Sequence, residues 1–434
     1  MRQQLFLERL FLRFVKSESF SGICLFISML LAFIAANSGF SDWYFKLWHT
    51  EFGFSFGGHF LGFELYHWIN DVLMSFFFLM VGLEIKREFL IGELSGLQKA
   101  IFPVVAALGG MVIPGMIYYG LNLGTESSRG FGIPMATDIA FALGVILLLG
   151  KRVPFSLKVF LVTLAVVDDL GAIIVIALFY TTQIYWNYLF FAALVIVVLI
   201  FFNKIGIKNL IPYLLLGVLL WYLVHHSGIH ATISAVVLAF CIPLQPRLKQ
   251  AAVLKSFKES ISKLNQAVQE KIDGLEHKEI QSLYKKSSHF QSPLERLEHM
   301  LHPLSAYFIM PLFAFANAGV RVTSEINLQI DHIFLGILLG LFIGKPLGIF
   351  LITFLCDKIG IAKKPEAVGW MHIFGAGTLA GIGFTMSIFV SNLAFSHPAS
   401  AEVAKVAILS SSFLSAVAGS LLLLLFDRFA NKAK

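Results

Sequence analysis

The chain has 434 residues, of which 57% are hydrophobic and 14% charged, with a formal net charge of +7 and a mean hydropathy of +0.80. A soluble domain carries about 45–50% apolar and about 25% charged residues. The composition therefore excludes a soluble enzyme of two or three domains, and 44 phenylalanines in long apolar runs exclude a disordered chain. What fits is an all-α polytopic membrane protein.

A membrane helix needs roughly 20 mostly apolar residues. Twelve segments are read as spans: 19–37, 68–85, 100–120, 131–149, 155–180, 188–202, 210–225, 228–243, 300–320, 332–356, 370–395 and 403–426. The first follows a short basic segment, 1–18, and its apolar run is longer than that of a signal peptide, so it is expected to stay as a span. Residues 41–67 form a polar and aromatic connection. Gly57-Gly58 and the alternation around them predict a small external β-hairpin. The short pair 210–225 and 228–243 is open to being one re-entrant unit. Eight spans thus fall within 19–243 and four within 294–428, followed by a tail, 429–434.

Between the two sets lies a long connection, 244–293. In it Leu254, Phe257, Ile261, Leu264, Val268, Ile272 and Leu275 recur every three or four residues. That spacing makes one apolar stripe on an amphipathic helix, either a solvated connector or a surface laid on the bilayer or a partner.

Cytoplasmic connections of membrane proteins are enriched in Lys and Arg. With twelve spans both termini share one side. The opposite side then holds only Lys46, Arg129, Arg321 and Lys405, and Lys345 lies inside a span. All the rest of the 33 basic residues, Lys86, Arg87 and Lys99 of one loop among them, share the side of the termini. That side is read as cytoplasmic. The net charge thus reports orientation and calls for no nucleic-acid partner. Cys24, Cys241 and Cys356 sit in apolar stretches without metal-binding spacing and read as small buried hydrophobes.

Ionisable groups within spans are costly and are functional candidates by default. They are Asp71, Asp138, Asp168, Asp169 and Lys345, with Glu84 at an inner edge. Asp168 and Asp169 are mid-span neighbours. At 3.6 residues per turn they point about 100° apart and do not face the same partner. Burial penalises the charged form of each, so the pair is suited to holding a proton or a cation. Hard cations favour oxygen ligands. Lys345, in a Gly336, Gly340, Gly344, Gly348 series that permits close helix packing, needs an anion, and the Asp pair is the obvious one.

Pro134 removes a backbone donor shortly before Thr137-Asp138, which predicts an interrupted helix with Asp138 at the break. Gly381-Ile382-Gly383 predicts a second interruption or a close packing site. Interrupted helices in the two halves of a chain are the best sequence pointer to the central site of a secondary transporter. No cofactor pattern accompanies them. Gly344-Lys345-Pro346 is not a phosphate loop, the glycines of 375–383 lack a βαβ context, and Glu298-His299 is not the HExxH of zinc proteases. His299 and His302 sit at an inner span edge, where imidazoles, which titrate near neutral pH, are placed to sense protons. A solvated helix start is the other reading of that edge.

Several segments together resemble the NhaA family of bacterial sodium/proton antiporters. They are Trp68-Ile69-Asn70-Asp71, Val81 through Glu88, Ala136 through Gly144, Val167 through Ala172, Leu297-Glu298-His299, Pro311 through Gly319, Ile343 through Gly348 and Gly381 through Ser387. They lie in register over nearly the whole chain.

The resemblance implies inverted repeats with two broken helices crossing near the membrane centre. It implies Asp168 and Asp169 as the pair that carries Na+ and protons, with Asp169 the direct cation ligand, Asp168 the partner of Lys345, and Thr137 adding an oxygen. Asp138 and Lys345 would offset half-helix dipoles. Glu84, Arg87, Glu298, His299 and His302 match the family's pH-response region, Asp71 a carboxylate of lesser role, and the external hairpin its homodimer contact. The expected activity is electrogenic, pH-regulated exchange of Na+ or Li+ for H+ in a bacterial inner membrane, with the lipid bilayer as surroundings. The long connection 244–293 departs from the family's shorter one. A proton-coupled symporter of a small organic solute is the alternative, weakened by the scarcity of mid-span Asn, Gln and Arg. A membrane receptor or scaffold using the long connection is a more distant one.

Overall fold

The computed structural model describes residues 18–56, 59–181, 183–245, 262, 291–321, 331–365 and 368–432. The expected amphipathic stripe of 254–275 lies outside these residues.

Among them, eight helices are long and apolar enough to span a bilayer: Leu65–Leu90, Lys99–Leu121, Glu126–Leu148, Phe155–Phe179, Trp186–Ile205, Pro293–Asn317, His332–Ile359 and Pro398–Asp427. Two bent pairs join them, Phe20–Ala36 with Ser41–Trp48 (115°) and Trp370–Ala380 with Phe384–Ala394 (49°). Two shorter apolar helices, Leu210–His226 and Thr232–Cys241, complete the set. Each of the twelve expected segments has a helical counterpart.

Some boundaries move. The second span runs on to Leu90, so Lys86 and Arg87, counted above with a loop, stand on a helix. The ninth starts at Pro293, which puts Glu298, His299 and His302 inside it. The expected hairpin is present as antiparallel strands Glu51–Phe56 and His59–Glu64, with Glu51 opposite Glu64. It is preceded by the short helix Ser41–Trp48, which the loop reading did not anticipate.

The chain forms two compact units: Met1–Phe77 with Glu88–Thr182 and Leu304–Lys434, and Phe78–Arg87 with Gln183–Pro303. In the first, helix Leu97–Leu121 packs along Lys345–Ile359. Without a hydrophobic drive between spans, close packing of small residues supplies the attraction. At Gly109 and Gly348 the two backbones touch: a Cβ on Gly348 would lie 2.1 Å from the Gly109 carbonyl oxygen, and one on Gly109 2.3 Å from that of Gly348. Four residues earlier, a Cβ on Gly344 would meet Pro114 Cα at 3.1 Å. A π-helical turn, Gly340–Gly344, leads directly into Lys345, and such widened turns are frequent at functional sites.

Gly348→Ala is expected to cost more than the ~1–3 kcal/mol typical of overpacking, because a backbone carbonyl has no rotamer by which to move aside. A thermal unfolding midpoint equal to the parent's, measured on the detergent-purified chain, would contradict this contact.

The second unit contains Trp186–Ile205, Leu210–His226 and Thr232–Cys241, each packed on the other two. The last carbonyls of Thr232–Cys241 need donors beyond the helix end. Lys86 Nζ, on a buried residue, supplies Phe240 O (2.7 Å) and Ile242 O (2.5 Å), and Asn203 Nδ2 supplies Cys241 O (2.8 Å).

Candidate functional site: a crossing of two interrupted helices

Both interruptions lie in the first unit. Glu126–Met135 is a tight 3-10 helix containing Pro134. Ala136 and Asp138 are extended, and Ile139–Leu148 resumes as an α-helix. Asp138 starts that second half: its Oδ1 accepts from Phe141 N at 3.0 Å, the N-cap geometry that satisfies one of the orphan donors of a helix start. The other helix ends at Ala380, passes through Gly381-Ile382-Gly383 and restarts at Phe384.

The two breaks meet. Asp138 N donates to Ile382 O (2.7 Å). Thr385 donates to Asp138 Oδ2 from both its backbone N (3.1 Å) and its hydroxyl (2.5 Å). Ser387 Oγ donates to Ile133 O (2.8 Å). One carboxylate therefore faces the starts of both second halves, Ile139–Leu148 and Phe384–Ala394, where helix dipoles present positive charge. The opposite end has the opposite chemistry. Lys345 Nζ donates to Met135 O (2.5 Å), the last carbonyl of the 3-10 half, and lies 2.9 Å from Asp168 Oδ2. Thr137 Oγ1 lies 2.7 Å from that same Asp168 Oδ2 and 3.1 Å from Ala380 O. Its single hydroxyl proton serves two acceptors.

Thr137, Asp138, Asp168, Asp169, Lys345 and Thr385 are each at most 2% exposed. All five sequence candidates for ion binding thus fall in this unit, and four of them are joined at the crossing by the contacts above. Asp169, one helical step from Asp168, interacts electrostatically with Lys345 as well. Asp168 Oδ1 is buried and accepts no hydrogen bond among the described residues. A carboxylate oxygen in that position retains its capacity to accept a proton or a cation.

Thr385 was not singled out from sequence. Its signal was present in hindsight: a hydroxyl residue in the first turn after Gly-Ile-Gly, where a restarted helix needs a polar partner. Asp138, expected at a helix break, serves two helix starts at once.

The second candidate set lies in the other unit and is only partly assembled. Arg87 Nη1 pairs with Glu298 Oε1 at 2.5 Å. Glu84 is half-buried one turn before Arg87. His299 and His302 are exposed, one turn apart on the helix Pro293–Leu304. They make no hydrogen bond or ion pair among the described residues. Asp71 is elsewhere, in the first unit, with His67 Nδ1 3.4 Å from its Oδ2.

Residues 12–423 match the profile of a protein family described as Na+/H+ antiporter 1. A Na(+)/H(+) antiporter NhaA of Helicobacter pylori is 59% identical over 425 residues, 97% of this chain and 96% of the relative. One of Wolinella succinogenes is 55% identical over 430 residues, covering 98% and 95%. Among solved structures, the sodium proton antiporter MjNhaP1 from Methanocaldococcus jannaschii at pH 8 aligns with 92% of this chain and 91% of its own. Its TM-score is 0.47 and its identity 12%, too distant to bear on the site.

Proposed function

The chain belongs to the Na+/H+ antiporter 1 family, with NhaA antiporters as relatives along almost its whole length, and from that premise we propose that it exchanges Na+ for H+ at the crossing of its two interrupted helices. The observation that carries the site is the buried Asp168 held between Lys345 and Thr137, with Asp169 beside it and an oxygen of Asp168 uncommitted. The organic-solute symporter has no counterpart among these relatives.

The mechanism is competition. A Na+ ion entering the site draws on the oxygens of Asp169, Asp168 and Thr137, and Asp168 must relax its hold on Lys345 to join them. Protons bind the same carboxylates and drive the cation off. Each must leave before the other arrives, so alternating access converts one gradient into the other without a further coupling part. Two ionised aspartates with neither proton nor cation are costly in low dielectric, which suppresses reorientation of the empty site and hence leak.

Li+ is a second substrate in this reading, and exchange is electrogenic, with more protons than cations moved per cycle. The chain sits in a bacterial inner membrane with both termini in the cytoplasm, as the distribution of Lys and Arg favours. The external hairpin, Glu51–Phe56 and His59–Glu64, joins two copies as a homodimer. A pulse of Na+ or Li+ given to proteoliposomes is expected to dissipate a preset pH gradient, faster when the membrane potential is clamped. A gradient untouched by either ion over pH 6–9 refutes the assignment.

Regulation is assigned to Glu84, Arg87, Glu298, His299 and His302. The His299→Ala/His302→Ala double variant is expected to shift the pH–activity profile. An unchanged profile removes the two histidines from regulation.

A further inference from the structure

A cavity of 490 Å³ opens in the first unit between helices Glu18–Ala36, Ile139–Leu148, Phe384–Ala394 and Pro398–Lys432. Its size falls within the roughly 300–1,000 Å³ of ligand-sized sites. Phe141 and Phe384 form its inner wall, edge to face at 5.9 Å, and Phe26 packs against Phe141 from the rim. Leu148, Phe413 and Leu421 stand exposed around the opening. Two hydroxyls reach it, and both are engaged with backbone: Ser412 Oγ accepts from Phe384 N (3.2 Å), and Ser420 Oγ donates to Ala416 O (2.7 Å). The wall therefore offers nothing to orient a polar solute. It offers a dry channel for hydrocarbon.

One end of the cavity has a different character. Helix Ile139–Leu148 ends there, and the turn that follows, Gly150–Arg152, contacts the helix Pro398–Lys432. Arg152 is exposed and makes no ion pair among the described residues. An apolar groove between membrane-spanning helices, followed at the end of one wall helix by a turn that carries an exposed arginine, has the layout of a phospholipid: a tail laid along the helices and an anionic headgroup at their end.

We propose that this groove binds one acyl chain of an anionic phospholipid from the surrounding bilayer, with its phosphate against Arg152. The location gives the lipid a consequence. Phe141 donates its backbone N–H to Asp138, and Phe384 is the first residue after the second break. A chain packed on these two rings braces the crossing from behind, and its removal loosens the wall that holds Asp138. The inference rests on these helices spanning a membrane and is independent of which ion is exchanged.

The test is native mass spectrometry on the full chain, extracted from vesicles of phosphatidylcholine mixed with phosphatidylglycerol. The parent is expected to retain one phosphatidylglycerol per chain. Ala416→Trp, which fills the groove from a helix outside the ion site, is expected to lower that retention roughly tenfold. Arg152→Gln is expected to lower the preference for phosphatidylglycerol over phosphatidylcholine about fivefold, the effect of one basic group near an anionic headgroup. Should Ala416→Trp not fold, Val417→Trp on the rim tests the same occupancy. Retention unchanged in a folded groove-filling variant, or equal retention of the two lipids by the parent, overturns the proposal.

Discussion

In Asp169→Ala, Na+-dependent dissipation of a preset pH gradient is expected to fall to the level of protein-free vesicles. Asp168 already serves Lys345 and Thr137 through one oxygen. The Lys345 charge beside it offsets its own. A cation stripped of water in a site this buried needs further negative charge, and the neighbouring carboxylate is placed to supply it. An isolated charge at the centre of a span costs ~2.5–3.5 kcal/mol on insertion scales. Losing its counter-charge therefore weakens cation binding about a hundredfold or more. Asp169→Asn, which keeps the shape and removes the charge, is expected to fail equally. Na+-driven exchange at the parental rate in either variant would place the binding site elsewhere, provided the purified variant unfolds at the parent's temperature.

Lys345→Met carries the largest expected loss of stability. Lys345 and Asp168 are both fully buried and 2.9 Å apart. Removing one partner leaves an uncompensated charge, which costs ~3–5 kcal/mol in buried pairs. Met135 O also loses its donor. Replacing both members of such a pair is far milder than breaking it, so Asp168→Asn/Lys345→Met is expected to recover most of the lost stability while remaining unable to exchange ions. Thermal unfolding of the two single variants and the double variant gives the coupling energy. If the double variant is as unstable as the sum of the singles, the pair contributes nothing as a pair.

The span pattern and the intramembrane charges were legible in the sequence because the bilayer imposes strong rules on both. Length and hydropathy locate helices, and a charge in hydrocarbon stands out. Pro134 marked the first interruption within a few residues. Contacts between segments far apart in the chain were not legible. Nothing local to Asp138 says that its N–H meets Ile382 O or that Thr385 answers its carboxylate. Those bonds exist only once two broken helices cross. Lys86 misled for a related reason. Among Lys and Arg near a span end, the positive-inside rule does not distinguish a solvated side chain from one turned inward to cap the carbonyls of Phe240 and Ile242. The helix Ser41–Trp48 was hidden by its length, since eight residues with a polar face resemble a loop.

The hydroxyl of Thr137 has one hydrogen and two claimants, Asp168 and the carbonyl of Ala380. An ionised Asp168 is the stronger acceptor and takes the larger share of it, at 2.7 Å against 3.1 Å to the carbonyl. Once Asp168 takes up a proton of its own, that hydrogen is released to the carbonyl that ends the helix Trp370–Ala380. The occupancy of the carboxylate is thereby written, by a rotation about a single side-chain bond, into the backbone of a helix more than two hundred residues away in sequence. If ions exchange at this site as proposed, the threonine is the contact through which the break in the second helix registers what the aspartate holds.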